Sequence, residues 1–210
     1  MHSYLTRLGV KQEVQEFFLP FYESDDAGNL CFDYSDAFEH YGLGFHKVPL
    51  SSGFWLAGNL TLKQVSTVVI SSSAMEAIAW LNHSWHRHGD PLSLLFFSAG
   101  ASQPAEHLNW LRENCPGKKI VLALGNDLLG RLSAVKLAAG IRGQNLHCCY
   151  LAEEKVQILF RGRTWLFGPE NLSLNALEKS SGFRFRVMMP APKNYNSFFE
   201  QLKAAAGLSF

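Results

Sequence analysis

Residues 65–85 read VSTVVISSSAMEAIAWLNHSW, and the fold class turns on how that stretch is parsed. Residues 65–71 are β-branched and apolar over one strand's length, the pattern of a strand buried on both faces. Ser72 and Ser73 can cap a helix beginning near Ala74, in which Met75, Ile78, Ala79 and Leu81 supply an apolar stripe. The same grammar repeats twice downstream. Residues 92–99 (LSLLFFSA) form a second apolar strand, followed by a helix over 104–114 with Leu108 and Leu111 inward. Residues 119–124 (KIVLAL) form a third, followed by a helix over 128–139. Three strand–helix alternations on short connections predict an α/β fold, a parallel sheet flanked by helices.

Outward from this centre the periodicity changes. Apolar residues from Tyr4 to Phe18 recur at helical spacing and predict one N-terminal helix, ended by Pro20. Residues 21–48 read as short strands, with Asp26-Ala27-Gly28-Asn29 as a hairpin turn and breaks at Gly42 and Gly44. Residues 53–59 read as an aromatic linker. Beyond Gly143, residues 146–150, 156–160 and 164–167 read as strands, with Arg161-Gly162-Arg163 as a hairpin turn. A short helix over 174–179, a strand over 184–189 stopped by Pro190 and Pro192, and a helix over 198–206 complete the chain. The expected organisation is an N-terminal helix and β-hairpin region (1–62), a core (63–143), a β-rich insertion (144–183), and a last core strand with a C-terminal helix (184–210).

The 210 residues are 47% hydrophobic and 18% charged, which excludes a disordered, collagen-like or coiled-coil chain. No apolar run reaches the length of a membrane span, and MHSYLTRLGVKQEV lacks the features of a signal peptide, so the expectation is a cytoplasmic protein without a membrane partner. The four cysteines, with Cys148 and Cys149 adjacent and Cys31 and Cys115 distant, show no disulfide or zinc spacing and read as reduced and mostly buried. Net charge is +1, but residues 1–130 carry −5 and residues 131–210 carry +6. A basic C-terminal half points to a polyanionic partner.

In a parallel α/β sheet, ligands bind beyond the carboxyl ends of the strands. Those ends are Ser71-Ser72-Ser73, Ser98-Ala99-Gly100-Ala101 and Leu124-Gly125-Asn126-Asp127, with Pro190-Ala191-Pro192-Lys193-Asn194-Tyr195-Asn196 as a fourth. No nucleophile elbow, Walker motif or dinucleotide fingerprint is present, so the serines read as helix-capping or phosphate-binding groups. Asp127 reads as a metal ligand or as the N-cap of the following helix, and Glu76 as a catalyst or as a first-turn acid stabilised by its helix dipole. His83, His86 and His88 cluster without the Cys, Asp or Glu partners a zinc site needs. Arg161 and Arg163 flank a turn, and Arg184 and Arg186 would share one strand face. With Phe160, Trp165 and Phe167 nearby, these four arginines are the candidate nucleic-acid grip.

Taken in order, strand–SSSAMEAIAWL, strand–SAGAS, strand–GNDLLGRLSAVKLA and PAPKNYNSFFEQL resemble the Toprim domain of bacterial primases, topoisomerases and primase-like proteins of plasmids and transposons. The preceding YLTRLGVKQEVQEFF and the hairpin region to Val48 are similar to the segment leading into Toprim in the mobile-element members. The resemblance covers residues 4–143 and 184–202. It implies a Rossmann-like Toprim fold and a site built from a strand-end Glu, a helix acid, an Asp-x-Asp-x-x-Gly and a late Lys-Asp-aromatic-Asn. Here the strand-end Glu falls on Ser72 and the helix acid is Glu76. The first Asp falls on Gly125, whereas Asp127 and Gly130 are kept. The late motif is Lys193-Asn194-Tyr195-Asn196.

Mg²⁺ is held by one or two carboxylates plus water and phosphate, so Asp127 alone would give a weak site at best. Ser72 cannot do the proton transfer of a carboxylate near neutral pH. The resemblance therefore implies a catalytically degenerate module for DNA replication or mobilisation of a mobile element. It would bind nucleic acid, DNA rather than RNA, or phosphate through Ser72, Ser73, Asn126, Asp127, Lys193, Asn196 and the four arginines, alongside protein partners of such a complex. Two alternatives stay open: an active Mg²⁺-dependent nucleotidyl-transfer or phosphodiester enzyme using Asp127 and Glu76, and a structural module that binds protein.

Overall fold

The computed structural model describes residues 1–87, 90–102, 104–151 and 154–208, which form a mixed α/β fold with seven α-helices and three sheets. The central sheet contains β5 (Trp55–Gly58), β6 (Thr67–Ser71), β7 (Leu94–Ser98) and β8 (Lys119–Ala123) in the order β5-β7-β6-β8. β6 runs parallel to β7 and β8, whereas β5 pairs antiparallel along the outer edge of β7. The sheet is thus mixed, and the expected aromatic linker supplies its antiparallel edge. Trp55 and Ala57 alternate inward while Leu56 and Gly58 are half-buried, so this short run has strand periodicity.

β6 is buried along its whole length because both faces of the sheet are covered. Val69, Phe96 and Val121 point into a core shared with three helices: α2 (Gln12–Phe18), α3 (Ala74–Ser84) and α7 (Phe198–Ala205). Val68, Ile70, Leu95, Phe97 and Leu122 point into a second core, formed with α4 (Ala105–Asn114) and α5 (Leu128–Ile141). The β-rich region joins this second core. Its antiparallel sheet has the order β11-β10-β9, from β9 (Leu146–Leu151), β10 (Lys155–Phe160) and β11 (Arg163–Phe167). Val156, Ile158 and Phe160 turn inward, and α6 (Leu174–Ser181) adds Leu174 and Leu177. Residues 144–183 therefore share the central sheet's core and have no separate one.

Two further expected elements differ. The N-terminal helix is split into α1 (Ser3–Arg7) and α2, because the chain turns at Gly9, whose φ of +73° ends the first helix. Residues 184–189 make one parallel bridge to β8, Val121 to Met188, with bonds of 2.7 and 2.9 Å, and form no strand. Arg186 lies at φ +54°, which breaks the extended run, and Arg142 holds the carbonyls of Phe185 and Arg186 instead of a ladder. The N-terminal strands β1 (Glu23–Ser24), β2 (Leu30–Asp33), β3 (Phe38–Gly42) and β4 (Phe45–Lys47) form an antiparallel meander packed on the first core. Of the cysteines, Cys31 and Cys115 are buried, Cys148 is half-buried and Cys149 is exposed, all as free thiols. No helix among the described residues is long and apolar enough to cross a membrane.

Candidate functional site

The carboxyl ends of β6 and β8 open into a cleft of about 420 Å³, where Ser72, Ser73, Glu76, Gly125, Asp127 and Asn196 converge. Lys193 and Asn126 are not among its lining residues. Lys193 is exposed, and its charge, with those of Arg87 and Lys11, adds to burial in lowering the His83 pKa, which places it toward α3. Three helices, α3, α5 and α7, start at this cleft. Free N–H groups at such ends attract anions unless something nearer accepts from them.

Internal acceptors already occupy most of them. Ser73 caps α3 by accepting from Glu76 N–H at 3.0 Å, and Asp127 caps α5 by accepting from Gly130 N–H at 2.8 Å. Ser197 does the same for α7 from Glu200 N–H at 3.1 Å. Glu76, 3% exposed, turns away from its own helix and accepts from Phe198 and Phe199 N–H at 2.6 and 3.1 Å. The dipole it satisfies is that of α7, not α3. Burial raises its pKa above the usual carboxylate range, and the bonds from the α7 backbone oppose that rise.

Glu39 is the residue that sequence reasoning missed. It is fully buried on β3, and its carboxylate gathers four donors: Ala74 N–H at 2.7 Å, Met75 N–H at 3.2 Å, Tyr34 Oη at 2.7 Å and His46 Nε2 at 2.8 Å. Tyr34 also meets Ser98 Oγ at 2.7 Å, and burial followed by the Glu39 charge pushes its pKa upward. An acid from the N-terminal meander thus serves α3, while the strand end itself carries Ser72. The available signal was alternation: Leu30, Phe32 and Tyr34 are inward, and the register sets Phe32 against Glu39. That register is local to one hairpin, but the partner of Glu39, the start of α3, lies 35 residues away and no local window contains it.

The residues do not fit Mg²⁺ as the resemblance implies. Both Glu76 oxygens are bonded to the α7 backbone, position 125 has no side chain, and an Asp127 oxygen caps α5. A Cβ at Gly125 would already come within 3.0 Å of Asp127 Oδ1 and 3.3 Å of the Asn196 carbonyl, so a second carboxylate there meets crowding. Among the described residues no three His, Cys, Asp or Glu side chains group as a metal site. His86 Nε2 lies 3.4 Å from the Lys11 ammonium and His83 Nδ1 lies 3.4 Å from Gln201 Nε2; His88 falls outside the described residues.

The arginines gather elsewhere. Arg161 and Gly162, both with positive φ, make the two-residue turn between β10 and β11. Arg161, Arg163, Trp165 and Ser181 line a cup of about 280 Å³ with no acidic side chain among the described residues of its wall. Arg161 sits 5.3 Å above the Phe183 ring, and the Trp165 indole N–H is buried with no acceptor. Arg184 is ion-paired to Glu178 at 3.0 Å and Arg186 is exposed on the interrupted segment, so the expected shared strand face does not form. Comparison of the chain with family models, curated protein sequences and solved structures finds no match.

Proposed function

We propose that the chain is a catalytically degenerate, Toprim-like module that binds single-stranded nucleic acid through the Arg161–Arg163–Trp165 cup, in DNA replication or mobilisation of a mobile element. The observation that carries this reading is the cup itself, lined by Arg161, Arg163, Phe160 and Trp165 with no acid among the described residues of its wall. A phosphate seated there would accept from the two guanidinium groups, and a base could stack on the aromatic side chains. The carboxylates of Glu39, Asp127 and Glu76 support the non-catalytic part, because they already accept from the first turns of α3, α5 and α7.

The test is fluorescence anisotropy of a labelled oligo(dT) against rising salt. Binding should weaken steeply with salt, and R161A/R163A should make the slope of log K against log salt shallower by about 1.4, two phosphate contacts on a single strand. Absence of binding at low salt, or an unchanged slope in the variant, overturns the reading. A second reading, a protein-binding module, is favoured by the outer face of β10 and β11, where Leu159 and Leu166 are 44% and 57% exposed. It predicts a complex that survives high salt and is lost in L159E/L166E.

A further inference from the structure

His46 and Phe199 also line a second cavity, of about 210 Å³, built differently from the strand-end cleft. Its walls are aromatic, with Tyr4 from α1, Tyr41 from β3, Phe45 from β4 and Phe199 from α7. Tyr41 meets Tyr4, His46 and Phe199 edge-on, with ring centroids 6.2, 5.7 and 5.4 Å apart, so neighbouring rings fix one another's planes. Arg7 and Lys203 are its cations, and among the described residues no Asp or Glu lines it. Among the described residues neither cation has a carboxylate within salt-bridge distance. The Lys203 ammonium lies 5.1 Å from the Phe199 ring centroid, which leaves an aromatic wall and a positive charge side by side.

Size narrows the occupant. An apolar cavity of about 150 Å³ holds benzene, whereas drug-sized ligands take pockets of roughly 300 Å³ or more. One ring or two fused rings with a small substituent match the space. The geometry points to a binding site for a small planar aromatic carboxylate, its ring between the aromatic walls and its carboxylate on Arg7 and Lys203. The site draws on three separate stretches of chain, so it exists only when α1, the β3–β4 hairpin and α7 are assembled. It shares no residue with the arginine cup, and nucleic-acid binding does not bear on it.

The test is calorimetric titration of the full chain with 2-naphthoate, 2-naphthylmethanol and octanoate. The aromatic acid should bind saturably, and both the neutral aromatic and the aliphatic acid should bind about tenfold more weakly or worse. R7Q/K203Q, at two non-core positions, should keep the wild-type melting temperature, weaken 2-naphthoate by about tenfold or more and leave 2-naphthylmethanol unchanged. No saturable binding of 2-naphthoate overturns the proposal. So does equal affinity for either control compound, or an unaltered naphthoate affinity in a folded double variant.

Discussion

Replacing Glu76 with Ala separates a structural carboxylate from a catalytic one. In the wild type its two oxygens accept from Phe198 and Phe199 N–H at 2.6 and 3.1 Å, and α7 in turn buries Phe198, Phe199 and Leu202 in the first core. Alanine leaves both donors without their acceptor, at about 1–3 kcal/mol each when they stay buried. Two terms reduce the sum. The carboxylate carries a burial penalty, visible in its raised pKa, and the adjoining cleft can admit water to the freed N–H groups. The expected loss is therefore near the lower end, about 2 kcal/mol, with α7 the element loosened. Urea denaturation measures the loss, and amide hydrogen exchange should show protection falling first in α7. A catalytic acid held against its own burial behaves oppositely, because removing it relieves strain and stabilises the fold. A variant as stable as the wild type within about 0.5 kcal/mol, the range of an ordinary surface change, or more stable, would refute the assignment of Glu76 to the start of α7.

Three further outcomes follow from the same geometry. Burial raises the folded pKa of Glu76 above that of an ordinary glutamate, so the folded state binds its proton more readily; this contribution favours folding in acid and is lost as pH rises from the ordinary glutamate range through the raised folded value. Wild type should show that downward trend in denaturation midpoints over that window, and E76Q should lack it. Asp127→Ala should cost about 1 kcal/mol through the lost α5 cap, without changing any response to Mg²⁺, as read by melting with and without the ion. Gly130→Ala should destabilise by roughly 1–3 kcal/mol, because its Cβ would collide with the backbone carbonyl of Gly125, and thermal unfolding reads the shift.

The central alternation was legible because β6, β7 and β8 are buried runs with helices between them, the first capped by Ser73, and burial on both faces leaves a continuous apolar signature. The same logic hid β5, since four half-apolar residues on an edge carry too short a pattern to compete with the reading of a linker. Residues 184–189 have strand composition, yet they carry Arg186 in the left-handed region and are held by Arg142, the C-cap of α5, a contact made 44 residues away. Ser72, Ser73, Gly125 and Asp127 meet at one cleft as strand ends, whereas Glu76 reaches it from α3 and Asn196 from a loop that follows no strand. What their side chains do there depended on which helix start each one meets, a tertiary matter that spacing does not encode.

Glu39 shows why that distinction matters. Three helices begin at the cleft, and each presents donors that must find acceptors. A ligand's phosphate can supply those acceptors, and so can buried carboxylates. Here Glu39 takes the first two N–H groups of α3 and Glu76 the first two of α7, so a polyanion arriving at the cleft would meet two buried acids in place of two open helix starts. The acceptors at α3 and α7 thus come from the −5 portion of the chain, and the +6 portion carries the Arg161–Arg163 cup. Under the proposed function, nucleic acid is expected at the cup and not at the strand ends. An R161A/R163A variant should lose oligo(dT) affinity while Ser72→Ala keeps it, and the reverse pattern would return binding to the cleft.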